Sequence, residues 1–141
     1  MKRQIAKLIG VLGLLLVAAC ANAQTLKVKA NVPFDFVVDK ATLPAGAYYI
    51  QDVMPESSTA LAIRNFDAGI GTMLLSNPAQ TLVASDDTRL VFHRYGDTYF
   101  LSQIWLQGSS EGRQVRVSKR EAEVARNGQR DKDVIVLASL Q

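Results

Sequence analysis

From residue 26 onward, apolar and polar positions alternate in short runs, the period-two signature of strands half buried in a sheet. Residues 26–32 (LKVKANV) alternate cleanly, Pro33 interrupts, and residues 34–38 (FDFVV) resume with Phe34, Phe36 and Val38 on one face. Proline donates no ladder hydrogen bond, so it suits a sheet edge or a switch between partners. Leu43-Pro44-Ala45-Gly46 fits a type I turn, with proline second and glycine fourth. Residues 47–53 are then expected to return against 34–38 as a first hairpin. Further strands are expected over 60–66, 71–76, 81–85, 89–95 and 98–107. They are separated by breaks at Asp67-Ala68-Gly69, Asn77-Pro78 and Asp86-Asp87. Nothing before residue 108 leaves room for a crossover helix, which excludes a parallel α/β arrangement.

The richest stretch is RLVFHRYGDTYFLSQIWLQ, residues 89–107, which holds the only histidine (His93) and the only tryptophan (Trp105). Gly96-Asp97 supplies the positive φ that a two-residue hairpin loop needs. The implied register sets Tyr95 against Thr98, Arg94 against Tyr99, His93 against Phe100 and Phe92 against Leu101. One face would carry Leu90, Phe92, Tyr99, Leu101 and Trp105, and the other Val91, His93, Tyr95, Phe100 and Ile104. Both faces are apolar, so both need covering, one by other strands and one by something smaller.

After a flexible loop at residues 108–112 the texture changes. Ser118-Lys119-Arg120-Glu121 fits a capping box, in which Ser118 accepts the Glu121 N–H and the glutamate reaches back. A helix of about two turns follows to Arg126, with Asn127-Gly128 as a left-handed stop. Its apolar stripe (Ala122, Val124, Ala125) is too weak to stand alone, so the helix must dock. The second face of the central hairpin is the expected dock. Residues 133–140 read as a final strand, buried on both sides and closing the sheet beside an early one. The fold class is therefore mainly β: an antiparallel β-sandwich or flattened small barrel of about eight strands, with one short C-terminal helix.

The N-terminus stands apart. Lys2, Arg3 and Lys7 precede an uncharged apolar run over residues 8–19, too short for a membrane span of about 20 residues. Residues 1–23 therefore read as a cleaved export signal and 24–141 as a single β domain, large enough to bury roughly two-thirds of its unfolded surface. Ala21-Asn22-Ala23 fits the small-x-small cleavage pattern, with soluble release into periplasm or medium. Val17-Ala18-Ala19-Cys20 also resembles a lipobox, which would make Cys20 a lipidation site and the only membrane attachment. Leaving with the signal, the three basic residues reduce a formal charge of +3 to balance between acids and bases. The high pI thus gives no support to a nucleic-acid partner. Cys20 is the sole cysteine, so no intrachain disulfide forms and the core must hold the domain.

Catalytic and ligand chemistry is thin. With one histidine, any Ser-His or Cys-His mechanism must use His93, no Gly-x-Ser-x-Gly elbow exists, and a hydrogen-bonded histidine in a packed sheet is the simpler reading. His93 with Asp86 or Asp87 falls short of a metal-ligand set, no calcium loop is present, and no glycine-rich phosphate loop opens a helix. Glu121 and Glu123 read as solvated surface. No cofactor is implied and no enzyme is expected. Six basic residues between Arg113 and Arg130 are broken by those glutamates and read as a solvated face. Among the aromatics, Phe34, Phe36, Tyr48, Phe92, Tyr95, Tyr99 and Trp105 either fill the core or line an apolar pocket.

The set VPFDFVV (32–38), LPAGAYYI (43–50) and LVFHRYGDTYFLSQIW (90–105) resembles a family of small secreted bacterial proteins with F-x-V, L-P-A-G-x-Y and L-x-F-x-x-Y-G…F-L-x-x-I-W motifs. The resemblance spans roughly residues 30–125. It implies an exported β domain and brings no activity with it. The expectation is a non-enzymatic structural or interaction module of the cell envelope, partnered by an envelope protein. The alternative is a carrier of a small apolar ligand in a barrel cavity.

Overall fold

The computed structural model describes residues 25–54, 56–57 and 59–141. The expected export signal and the expected lipidation site Cys20 lie outside them. In chain order the elements are β1 (Lys27–Val32), β2 (Phe36–Val38), β3 (Ala41–Leu43), β4 (Gly46–Asp52), β5 (Ala60–Asn65), β6 (Ile70–Gln80), β7 (Thr88–Tyr95), β8 (Thr98–Trp105), β9 (Glu111–Val115), α1 (Lys119–Asn127) and β10 (Val134–Leu140).

Eight strands close a ring in the order β1-β4-β5-β6-β9-β8-β7-β10 and back to β1. Every pairing around it is antiparallel. The fold is a closed barrel, which decides between the two expected architectures and removes the exposed strand edges that a sandwich would have to protect. Inward positions of the ring form one continuous core, including Val28, Val32, Ile50, Leu61, Ile63, Leu90, Phe92, Ile104 and Val136.

The first hairpin differs from expectation. β4 pairs along all of β1, from Lys27↔Gln51 to Val32↔Gly46, while Phe36–Val38 forms its own small hairpin with Ala41–Leu43. Both 26–32 and 34–38 alternate, and alternation does not say which one β4 will choose. The β2–β3 hairpin fills a gap in the wall. β9 covers only the Gln103–Trp105 end of β8, and β2 adds in parallel beside Phe100, sending Phe36 and Val38 into the core.

Asn77-Pro78 is not a break. β6 runs through it, pairing with β5 as far as Leu75 and with β9 from Ser76 on. Pro78 lies past the end of β5, where a missing N–H costs no bond on that side. Residues 81–85 form a loop, not a strand, and the expected loop at 108–112 holds over 108–110, with β9 beginning at Glu111.

The central hairpin has the expected register from Tyr95↔Thr98 to Phe92↔Leu101, after which a bulge shifts it. Ser102 is the extra residue: Val91 pairs with Gln103 and Leu90 with Ile104. The bulge turns Ile104 into the core and leaves Trp105 half buried on the outer face. The helix starts as expected, with Ser118 Oγ accepting the Glu121 N–H. It ends at an extended Gly128 (φ −149°), not a left-handed one. β10 closes beside β1, but Ile135 and Leu137 on its outer side are exposed, as is Leu140 at its end. The expected burial on both sides does not hold, because nothing packs over β10 from outside.

Candidate functional site

The polar groups of the hairpin's outer face converge beneath α1. β7 presents His93 and Tyr95, the bulge presents Ser102, and the first turn of α1 presents Glu121. His93 Nδ1 lies 2.6 Å from Glu121 Oε1, and its Nε2 lies 2.9 Å from Ser102 Oγ and 3.1 Å from Arg130 Nη1. A guanidinium only donates, so Nε2 must accept, and the ring proton then sits on Nδ1 and is donated to Glu121. The Tyr95 hydroxyl donates to the same carboxylate oxygen at 3.2 Å. Burial, helped by the charge of Glu121, raises the Tyr95 phenol above its ordinary pKa. Glu121 therefore does not stand in solvent as its spacing from Glu123 suggested. Its side chain is 7% exposed and that of His93 15%.

Serine, histidine and glutamate in this order match the connectivity of a nucleophile, a base and its orienting acid. Access differs. Ser102 is 2% exposed, and Gln114 Nε2 sits over both its carbonyl (3.3 Å) and its Oγ (3.4 Å). A substrate carbonyl reaches Oγ only if its neighbours move. If α1 lifts, Glu121 leaves with it and His93 loses its acid. The geometry as built works as a latch holding α1 to the barrel.

Of the seven aromatics expected to act together, five meet at the barrel end that β2 and β3 cover. Phe34 stacks on Tyr99 (centroids 4.0 Å apart) and meets Phe92 edge-on at 5.0 Å; Phe36 meets Tyr48 and Phe92 edge-on at 5.0 and 5.4 Å. These rings fill their own space. The Tyr48 hydroxyl donates to the Pro44 carbonyl, and its pKa is raised by burial and the nearby Asp35, against a hydrogen bond from Asn65. Tyr95 lies outside the barrel against Phe100, and Trp105 covers Gly112, where an added Cβ would stand 2.5 Å from the indole.

The opposite rim, where the chain enters β1, is built differently. Arg113 Nη2 reaches Asp52 Oδ1 at 3.1 Å, with side chains 13% and 2% exposed, and Asp52 Oδ2 also accepts the Leu26 N–H at 2.9 Å. Beside them is a cavity of about 210 Å³ lined by Leu26, Pro78, Leu106, Ser109 and Arg113 among others. The loop between β6 and β7 crosses this rim. Its ends are clamped by backbone bonds: Thr81 N–H to the Ser110 carbonyl, Ser85 N–H to that of Ser109, and Gly108 N–H to that of Ser85, at 2.8–2.9 Å. Between the clamps Leu82 is fully exposed and Val83 is 75% exposed.

A second apolar surface runs along the outer wall. Val53, Ala62 and Met73 line one groove and Met73, Leu75 and Val117 the next; all but the buried Ala62 are exposed. Sequence reasoning missed these features for a common reason. Leu82-Val83 was read as strand, Glu121 as solvent-facing and Arg113 as part of a solvated face, and only the pairing of distant strands places them. No family model matches this chain, and no curated protein or solved structure matches it.

Proposed function

We propose that the domain is an exported, non-enzymatic interaction module of the cell envelope that binds a partner protein along its outer wall. The observation that carries this reading is the apolar stripe Val53–Met73–Leu75–Val117. Apolar side chains left in contact on the outside of a barrel mark a binding surface more often than isolated ones do. The carrier reading has less behind it. Five aromatic rings occupy one end of the interior, and the cavity at the other end is smaller than the roughly 300–1,000 Å³ of ordinary ligand pockets. The buried Ser102 and the acid carried by α1 weigh against a hydrolase in the same way.

Envelope capture tests the proposal. Mature protein with a photocrosslinker at Arg64, exposed on the outer wall beside Met73, is expected to yield a specific adduct, lost when Met73 and Leu75 are changed to glutamate and lysine. A strictly monomeric protein without an adduct counts against the module, and turnover of ester substrates that is lost in Ser102→Ala would replace it with an enzyme.

A further inference from the structure

The two rims of the barrel differ in a way that the wall stripe does not explain. The rim carrying the β2–β3, β5–β6 and β7–β8 turns and α1 is densely charged, with Asp35, Asp39, Lys40, Asp67, Asp97, Arg120 and Arg126 exposed around an exposed Phe66. The opposite rim presents Leu82 and Val83 to solvent, with exposed Met54 on the β4–β5 loop of the same rim. The clamps at Thr81 and Ser85 fix the backbone on either side of the apolar pair. The loop is thus held with two apolar side chains pointing away from the protein, at the cost of leaving them in water.

The position of the chain entry tells what covers them. Leu26 sits on this same rim, beside Pro78 and Gln80, which lead directly into the loop. Five residues separate Leu26 from Cys20, so the two lie at most about 20 Å apart. The apolar run 8–19 precedes them. Where Cys20 is lipid-anchored, that short reach keeps this rim close to the bilayer.

We propose that Leu82 and Val83 form a membrane-contact tip that inserts into the lipid interface and holds the barrel upright on the envelope. The lipid is zwitterionic in character, because Glu56, Asp86, Asp87 and Glu111 on this rim outnumber Lys27 and Arg89, the latter paired with Asp87, so no basic patch draws the tip to an anionic surface. Contact is by burial of apolar side chains. The inference goes beyond the interaction module, since it uses a different surface and a different partner. Its orientation alone rests on the export reading.

The test uses protein recovered from cells expressing the full chain with Cys20→Ser, so that residue 20 contributes neither a thiol nor a lipid, and an environment-sensitive dye on Ala84→Cys. With vesicles of phosphatidylcholine and phosphatidylethanolamine, the dye is expected to shift to the blue, insensitive to salt. The same dye on Asp97→Cys at the charged rim stays in water. Replacing Leu82 and Val83 by aspartate, both too exposed to matter for folding, should weaken vesicle binding roughly tenfold or more. An unshifted dye at 84, an equal shift at 97, or binding that requires phosphatidylglycerol and vanishes in salt overturns the proposal. So does a crosslinker at 84 that captures a protein instead of lipid in intact envelopes. Mass spectrometry of the recovered protein shows whether residues 1–23 have been removed, so failure of the export reading and failure of the tip are told apart.

Discussion

His93 Nδ1 and Glu121 Oε1 lie 2.6 Å apart, and this contact joins a nine-residue helix to a barrel that it otherwise touches lightly. A helix of that length does not persist alone, so its order depends on what Glu121 finds. Replacing Glu121 by alanine leaves His93 and Tyr95 without their acceptor under the helix. The expected cost is about 1–3 kcal/mol. Amide exchange in 119–127 should quicken while that of β7 and β8 is unchanged. A double-mutant cycle with His93→Ala should return a positive coupling energy smaller than either single-mutant loss, because Glu121 also holds Tyr95 and His93 also meets Ser102 and Arg130.

The tautomer assigned by Arg130 is open to direct measurement. At neutral pH, ¹⁵N spectra of the one histidine are expected to show the proton on Nδ1. A proton on Nε2 would mean that Arg130 does not donate to the ring and that Ser102 holds it alone.

Phe92 and Trp105 come apart in their expected contributions. Phe92 is fully buried and touches Phe34 and Phe36, so truncation to alanine should cost about 3–5 kcal/mol. Trp105, turned outward by the bulge at Ser102, should cost less, about 1–3 kcal/mol. Urea unfolding of the two variants ranks them, and equal losses would mean that the indole is packed as deeply as the phenyl ring.

Gly112 sets a limit on how β9 approaches β8. A Cβ there would stand 2.5 Å from the Trp105 ring and 2.6 Å from the Ile104 carbonyl oxygen. Gly112→Ala is therefore expected to destabilise by about 1–3 kcal/mol through overpacking. Shrinking Trp105 should not rescue it, since the carbonyl remains. Full rescue by Trp105→Ala would show that the side chain alone sets the spacing.

These contrasts mark where the sequence was legible. Tyr95↔Thr98 through Phe92↔Leu101 could be read from Gly96-Asp97, because a two-residue loop and a period of two leave no freedom close to the turn. Beyond it both Ile104 and Trp105 are apolar, so alternation did not reveal the bulge that exchanges them. The choice of β1 over β2 by β4 is a tertiary decision between two equally alternating strands. Ser118 was visible as a cap because its partner is three residues away. The burial of Glu121 was not, because it is set by a histidine 28 residues upstream. Leu82-Val83 reads as strand by composition, and only its clamped ends show it to be a loop.

Alkaline pH should weaken the fold. Burial raises the phenols of Tyr48 and Tyr95 in the native state, so at high pH the unfolded chain gives up these protons first. The native state then binds more protons than the unfolded one, and stability falls as pH rises. The contribution is complete below about pH 10, the ordinary tyrosine value, and is lost as pH climbs through the raised native values. Tyr48→Phe should flatten part of that loss in urea titrations above this point, and a wild-type stability that does not change with alkaline pH would contradict the burial of both phenols.

Asp52 and Arg113 pose the opposite problem, a charge pair held inside the barrel rim. Asp52 takes both the guanidinium and the Leu26 N–H, so it fastens the start of β1 and the middle of β9 to the end of β4. Asp52→Ala removes the carboxylate from beside a largely buried cation and is expected to cost about 3–5 kcal/mol. Replacing the pair together, Asp52→Leu with Arg113→Met, should recover most of the loss, because two apolar side chains need no desolvation of charge. The Leu26 N–H then has no acceptor, which leaves a residual deficit of about 1–3 kcal/mol. Unfolding free energies of the three variants separate these terms. A double variant as unstable as Asp52→Ala would mean that the tie to Leu26, and not the loss of the ion pair with Arg113, dominates at this rim.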